Sequence, residues 1–249
     1  MNELLKFSKG NAKLDKQIFN ISLPSGFSCP GALDCLSKAD PITGKITDGK
    51  DTKFRCFSAS SEAVYTAVRD QRWHNFKLLA GKTMDQMKEL IVTSLPSNAN
   101  IIRVHVGGDF FNEDYFKAWL NTAKQFPSLI FYAYTKSLNF WVNNLKDIPG
   151  NFKLNASFGG RHDAMITQHA LKYAKVVYTV DEADKLGLEI DHDDTHAFIG
   201  DNSFALLLHG TQPKGTVAAK SLSALRKLGI GGYGRDKAKR AEITLTPTV

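Results

Sequence analysis

Cys29, Cys35 and Cys56 are the only cysteines in the 249-residue chain, and all three fall in its first quarter. They sit in Ser28-Cys29-Pro30-Gly31-Ala32-Leu33-Asp34-Cys35 and in Phe54-Arg55-Cys56-Phe57. Three thiolates are one ligand short of a closed structural zinc site, whereas a catalytic metal keeps a position open. An iron–sulfur cluster held by three cysteines likewise leaves one iron for another ligand. An odd cysteine count argues against a complete disulfide framework. Free cysteine is also an ordinary small core residue. Here, however, all three stand among Pro, Gly, Ser, Asp and Lys, the composition of loops. The expected chemistry is therefore that of a metal centre built from these three thiols.

The elements that must position them read as α/β. Residues 29–56 form the cysteine segment, after a short strand at 18–23. Within it, 41–50 carries the Gly and Asp punctuation of turns, so the chain can fold back and bring Cys56 toward Cys29 and Cys35. A helix is expected from Ser58, Ser60 or Ser61 to Phe76, with Ala63, Val64, Ala67, Val68, Trp73 and Phe76 as its apolar face. A second fits 83–95, capped by Thr83. Strands at 101–106, 129–134, 152–157, 175–180 and 204–208 then alternate with helices at 113–126, 138–145, 162–173, 183–186 and 218–228. Such alternation indicates mostly parallel strands, open or partly closed into a barrel. No domain boundary or repeat interrupts it. Residues 1–57 are the lead-in and cysteine loop, 58–213 the α/β core, and 214–249 a basic helix and tail.

In a parallel α/β sheet, ligands bind beyond the carboxyl ends of the strands. Those ends carry Gly107-Gly108-Asp109, then Thr135-Lys136-Ser137, then Ser157 with Phe158-Gly159-Gly160-Arg161, then Asp181-Glu182, and last His209-Gly210-Thr211-Gln212-Pro213. Two glycines allow a backbone to approach a ligand closely, and the adjacent carboxylate can accept a hydrogen bond. The ordinary alternative for Gly107-Gly108-Asp109 is a turn before a helix. No dinucleotide fingerprint is present. Arg161 with His162, and His209, are further polar groups on the same rim. Trp73, His74 and Asn75 are expected to pack beneath the metal centre. Asp191-His192-Asp193-Asp194-Thr195-His196 is dense enough in carboxylate and imidazole to bind a divalent metal. Without helical context, a solvated acidic loop is the favoured alternative there.

The net charge of +7 permits an anionic partner such as nucleic acid. Part of the excess lies in Lys214, Lys220, Arg226, Lys227, Arg235, Lys237, Lys239 and Arg240. No run is long enough for a membrane span, and Met1 to Phe7 lacks the apolar core of a secretory signal. A cytoplasmic location, where thiols stay reduced, is expected.

A three-cysteine loop, a helix, a strand ending Gly107-Gly108-Asp109, a helix and a strand ending in Thr135 together resemble the front half of a radical S-adenosylmethionine enzyme. The spacing is wider than that superfamily's usual one, with five residues and then twenty between the cysteines, and Asp stands where Glu is usual. The chain also resembles a phage family known as gene product eighty-eight, through Ser28-Cys29-Pro30 with Cys35, Phe54-Arg55-Cys56-Phe57, Arg103-Val104-His105 with Gly108-Asp109-Phe110, Tyr134-Thr135-Lys136-Ser137 and His209-Gly210-Thr211-Gln212-Pro213. The resemblance to radical S-adenosylmethionine enzymes implies a partial (β/α) barrel of mostly parallel strands with an N-terminal cysteine loop. It implies a 4Fe-4S cluster on Cys29, Cys35 and Cys56, and S-adenosylmethionine held by Gly107, Gly108, Asp109, Thr135, Lys136 and Ser157. An electron donor and a nucleic-acid or nucleotide substrate would be its partners, in the host cytoplasm if the chain is viral. Two alternatives use the same cysteines: a zinc-dependent enzyme, or a nucleic-acid-binding protein that metal merely stabilises.

Overall fold

Large side chains alternate along the central strands, and each set faces its own core. The computed structural model describes residues 3–10 and 14–230. Its main sheet has eight strands: β1 (Ser8–Lys9), β2 (Ile18–Ile21), β5 (Ile101–Val104), β6 (Ile130–Thr135), β7 (Phe152–Ser157), β8 (Tyr173–Val177), β9 (Glu189–Ile190) and β10 (Phe204–Leu207). Their order is β1-β2-β5-β6-β7-β8-β10-β9. Only the β1–β2 pair is antiparallel. From β2 to β10 the neighbours follow chain order, and β1 and β9 stand at unpaired edges. The mostly parallel sheet is as expected, and among the described residues its two ends are not joined.

One face of the sheet carries Phe19, Ile21, Ile102, Val104, Phe131, Ala133, Phe152, Leu154 and Ala156. Against it pack α3 (Met84–Ser94), α4 (Glu113–Gln125) and α5 (Leu138–Asn143), through Met87, Ile91, Tyr115, Phe116, Trp119 and Leu138. Helix α4 is capped by Asn112, whose Oδ1 accepts from Tyr115 N at 2.8 Å. Helix α3 starts on a full capping box between Thr83 and Gln86. The opposite face carries Ile18, Ile101, Tyr132, Ala174 and Phe204, which meet Ala197 and Phe198 of the short α8 (Thr195–Phe198). Opposite faces at alternate residues are the two-residue period of a strand.

The first expected helix is in fact two. Helix α1 (Phe57–Val64) and α2 (Thr66–Leu79) are separated by Tyr65 in an extended conformation. The expected apolar face is only partly buried: Ala63, Val68, Trp73 and Phe76 are half-buried. Val64, Tyr65 and Ala67 are exposed, while Glu62, Arg69, Arg72 and Asn75 are buried. The break lets α2 turn both arginines back onto α1. Arg69 Nη1 donates to Glu62 O at 2.6 Å, and Arg72 Nη1 to Glu62 Oε1 at 2.5 Å. The expected helix at 162–173 shrinks to α6 (Ala164–Gln168), because Tyr173 already starts β8. Helices α7 (Val180–Lys185) and α9 (Val217–Lys227) lie close to their expected positions. A small hairpin of β3 (Ser37–Ala39) and β4 (Ile46–Asp48) folds the cysteine segment back on itself. The basic residues Arg235, Lys237, Lys239 and Arg240 lie outside the described residues.

Candidate metal centre at the rim of the sheet

The cysteine loop leaves β2 and lies across the carboxyl ends of β6 and β7. Gly31 makes this possible: a Cβ there would stand 2.1 Å from the Lys136 carbonyl oxygen. Arg161 N donates to Gly31 O at 2.9 Å, Asp34 N donates to Gly159 O at 3.0 Å, and Ala32 bridges to Gly160. The β3–β4 hairpin then returns the chain. Lys53 N and Phe54 N both donate to Asp34 O. Arg55 grips Asp48 through two nitrogens, with Nη2 to Oδ2 at 2.5 Å. Gln212, from the last rim segment, clasps the backbone of Arg55 on both sides: its Oε1 accepts from Arg55 N at 2.8 Å and its Nε2 donates to Arg55 O at 3.0 Å. The His209 ring packs on Phe57 at 4.5 Å. The pairing of Phe54-Arg55-Cys56-Phe57 with His209-Gly210-Thr211-Gln212-Pro213 is thus a physical contact.

These constraints bring Cys29, Cys35 and Cys56 within electrostatic reach of one another. A charge on Cys56 or on Cys35 raises the Cys29 pKa, and a charge on Cys56 raises that of Cys35. All three are free and half-buried. Burial pushes Cys35 up to about 11, against the pull of the Lys136 ammonium. Burial also holds Cys29 well above the ordinary thiol range, with the Asp109 carboxylate adding to it. Cys56 is raised by burial too, while N–H groups of Ala59 and Ser58 oppose the shift. Cys56 is the N-cap residue of α1, so its sulfur stands at that helix's first free N–H groups. The Cys29 Sγ accepts from Gly26 N at 3.3 Å. Among the described residues, no group of three or more His, Cys, Asp or Glu side chains is arranged to hold a metal ion. The donor set nevertheless suits a soft metal or an iron–sulfur group, which takes thiolate ligands and N–H hydrogen bonds to sulfur.

Gly107 and Gly108 follow β5 beside this loop. A Cβ on Gly107 would meet Ser58 Oγ at 2.0 Å and the Arg72 guanidinium carbon at 2.8 Å, and Gly108 takes φ +84°. Only glycine fits the first contact, and the second backbone angle favours it. The Asp109 carboxylate is engaged inside the protein. Its Oδ1 accepts from Phe110 N at 2.7 Å and Thr135 Oγ1 at 2.6 Å, and its Oδ2 from Lys136 N at 2.8 Å. Burial lifts its pKa to about 6 in spite of those bonds. Lys136 Nζ donates to Ser157 O and Ser157 Oγ, both at 2.8 Å, and to Phe158 O at 2.7 Å. Asp109, Thr135, Lys136 and Ser157 therefore tie the ends of β5, β6 and β7 together, and their side chains shape the rim from within.

Under the loop lies a buried polar cluster that helical periodicity did not reveal. Glu62 Oε1 accepts from Ser25 N, Ser25 Oγ and Arg72, and Arg72 also donates to Ser58 Oγ at 2.5 Å. The one signal for it was two arginines at polar-looking positions of a nominal surface helix. Asn75 is also buried, with its Nδ2 on Lys6 O and Ser22 O. His74 bonds Leu4 O instead.

The Asp191–His196 segment is not a solvated loop. Asp191 and Asp194 are fully buried on the face opposite α4. Asp194 accepts from Arg103 Nη1, from Tyr132 OH at 3.0 Å and from Tyr134 OH at 3.1 Å. Asp191 accepts from Asp194 N at 2.9 Å and bonds His196 Nδ1 at 3.0 Å. Its acids form a plug on the sheet, while the exposed His192 shares a shallow pocket with Glu189 and His196. Arg161 is exposed, and the N–H groups of Gly159 and Gly160 are taken by the Asp163 carboxylate at 2.8 Å each. No helix among the described residues is long and apolar enough to cross a membrane.

The chain is 27% identical over 128 residues to the Gene 88 protein of Mycobacterium phage D29, and 28% identical over 128 residues to that of Mycobacterium phage L5. Each match covers 47% of this chain and 47% of the relative, so the chain spans about half the length of the curated relatives it matches. No solved structure matches it. The family model described as Gene product 88 matches residues 4–227, most of the chain, and the chain therefore belongs to the gene product 88 family.

Proposed function

We propose that the chain is a radical S-adenosylmethionine-type iron–sulfur enzyme, with Cys29, Cys35 and Cys56 as the protein ligands of a 4Fe-4S cluster. The observation that carries this reading is the seating of the cysteine loop on the carboxyl rim of parallel strands, with Gly31 against the Lys136 carbonyl and Ala32 bridged to Gly160. The sequential run β2-β5-β6-β7-β8-β10, with the cysteine loop after its first strand and Gly107-Gly108-Asp109 after its second, supports a partial (β/α) barrel architecture. When bound, the cluster and S-adenosylmethionine supply one-electron radical chemistry; the protein supplies orientation and exclusion of water. In this reading the Gly107–Gly108 backbone leaves room for the methionine end of the cofactor. Asp109, Thr135, Lys136 and Ser157 fix the strand ends around it rather than grip it with free donors. A nucleic acid or nucleotide is the proposed substrate, from the +7 charge and the exposed Lys214, Lys220, Arg226 and Lys227. An electron donor would complete the system, in the host cytoplasm.

Anaerobic reconstitution with iron and sulfide, followed by reduction in the presence of S-adenosylmethionine, tests the reading. Formation of 5′-deoxyadenosine is expected; a loaded protein that forms none would remove the assigned reaction. The exposed basic side chains of α9 favour one competing reading, a nucleic-acid-binding protein stabilised by metal. It requires a colourless protein containing zinc, with binding that weakens steeply in salt. Zinc in a protein that turns over a substrate would instead indicate a thiolate zinc enzyme.

A further inference from the structure

Residues 24–30 cross the rim between two anchors. Before them, Leu23 N donates to Gly107 O at 2.8 Å; after them, Gly31 packs on the Lys136 carbonyl and Ala32 bridges to Gly160. Within the segment the bonds are local: Ser28 N and Ser28 Oγ both donate to Pro24 O, and Gly26 N donates to Cys29 Sγ. Its hydrogen bonds to other described elements come from Ser25 N and Ser25 Oγ, and both end on Glu62 Oε1, at 2.9 and 2.7 Å. Its remaining contacts are packing, with the Phe27 ring on Trp73 of α2 at 5.0 Å and Gly26 against the Ser37 carbonyl. Arg72 donates to the same oxygen of Glu62. The other oxygen, Glu62 Oε2, has no partner, in a residue that is 0% exposed. A buried carboxylate oxygen without a donor is unfavourable, and contact with water relieves it. The closed segment is thus held at one oxygen of Glu62 and opposed at the other.

What the segment covers is the glycine turn. A Cβ on Gly108 would stand 2.6 Å from Ser28 Oγ, so that hydroxyl already fills the space beside the backbone. We propose that residues 24–30 are a strap closed over Gly107–Gly108 and latched by Ser25 on Glu62, and that the strap lifts to let a ligand reach that backbone. The inference rests on the reading of this turn as the ligand-facing backbone of the rim, and adds how that backbone is uncovered. Lifting breaks the two Ser25 bonds and hydrates Glu62 Oε2, while the Glu62–Arg72 pair stays in place.

Amide hydrogen exchange, read residue by residue by NMR on the full chain without added metal or ligand, tests this. In wild type the N–H groups of Ser25, Ser28 and Gly107 should exchange together, with protection about tenfold or more below that of Phe131 N–H, which bonds Asn151 O inside the sheet. Ser25→Ala removes one of the two latch bonds. It should lower protection at residues 25, 28 and 107 by about tenfold, the scale of one hydrogen bond to a charged group, and leave Phe131 unchanged. Strap amides as protected as Phe131 in wild type would overturn the proposal, because the segment would then open only with the sheet. Exchange at Ser25 and Ser28 without Gly107 would overturn the covering role. A Ser25→Ala protein with unchanged protection, or with an equal loss at Phe131, would overturn the latch. If Ser25→Ala does not fold, wild type decides: joint, faster exchange of the three amides supports the strap, and anything else overturns it. A strap that lifts in a protein forming no 5′-deoxyadenosine supports this inference and removes only the assigned reaction.

Discussion

In the plug on the face opposite α4, Asp191, Asp194 and His196 are consumed by the fold. Asp194 accepts from one arginine and two tyrosines, and Asp191 holds both a backbone N–H and the His196 ring. At the rim, the thiols of the cysteine segment close no internal bond network. The Cys29 sulfur receives one N–H, and the bonds that hold the loop run through backbone and neighbouring side chains such as Asp34, Arg55 and Gln212. Both segments carry metal-ligating residue types at close spacing. The difference is whether a charged side chain of the same chain hydrogen-bonds to them. Arg103 reaches Asp194, whereas the cation beside the thiols, Lys136, directs its donors elsewhere.

Perturbing each region should expose this contrast. The largest effect is expected from Asp194→Asn. The substitution keeps a residue that tolerates the left-handed backbone at φ 69°, but removes the buried carboxylate charge that Arg103 faces. A loss of about 3–5 kcal/mol in denaturant unfolding is expected; a loss below 1 kcal/mol would show that the plug is not structural. At the rim, Gly31→Ala forces a Cβ against the Lys136 carbonyl and should cost about 1–3 kcal/mol by the same measurement. An unchanged stability there would mean that the loop does not rest on β6.

Gln212→Ala releases both sides of Arg55 and should cost about 1 kcal/mol per lost hydrogen bond. Its effect on metal uptake should exceed its effect on the melting temperature, because it frees the segment that carries Cys56. Equal changes in both would place Gln212 in general packing. The smallest effect is on pH dependence. Hydrogen bonding to Asp191, and then to Glu189, lifts His196 to about 9 from 6.5. The folded pKa lies above the unfolded one, so the contribution is complete below about pH 6.5 and is lost as pH rises through about 9. Melting temperatures measured from pH 6 upward should fall more in wild type than in His196→Gln. Parallel profiles would remove the histidine from the plug.

Most of the central strands and helices were legible, because period-two and helical patterns run cleanly from Ile101 to Ser157. The cap at Thr83 and the chain return between Cys35 and Cys56 were also legible from local residue types. What stayed hidden was long-range pairing of charge. Nothing in the local pattern marks Arg69 and Arg72, which are buried where both reach Glu62 across the break at Tyr65. Asp194 reads as surface acid, and is buried because Arg103 lies 91 residues away in sequence but beside it in space. Asp109, Thr135 and Lys136 were found as rim residues from strand ends alone. That they bond one another could not be read from a single strand.

The most direct measurement is iron and acid-labile sulfide in anaerobically purified protein, made in parallel for wild type and for Cys29→Ala, Cys35→Ala and Cys56→Ala. We expect a brown wild type with both elements and their loss in each single variant, with His192→Ala and His196→Ala left unchanged. Wild-type protein free of iron, or three cysteine variants that keep it, would contradict a centre built on these thiols.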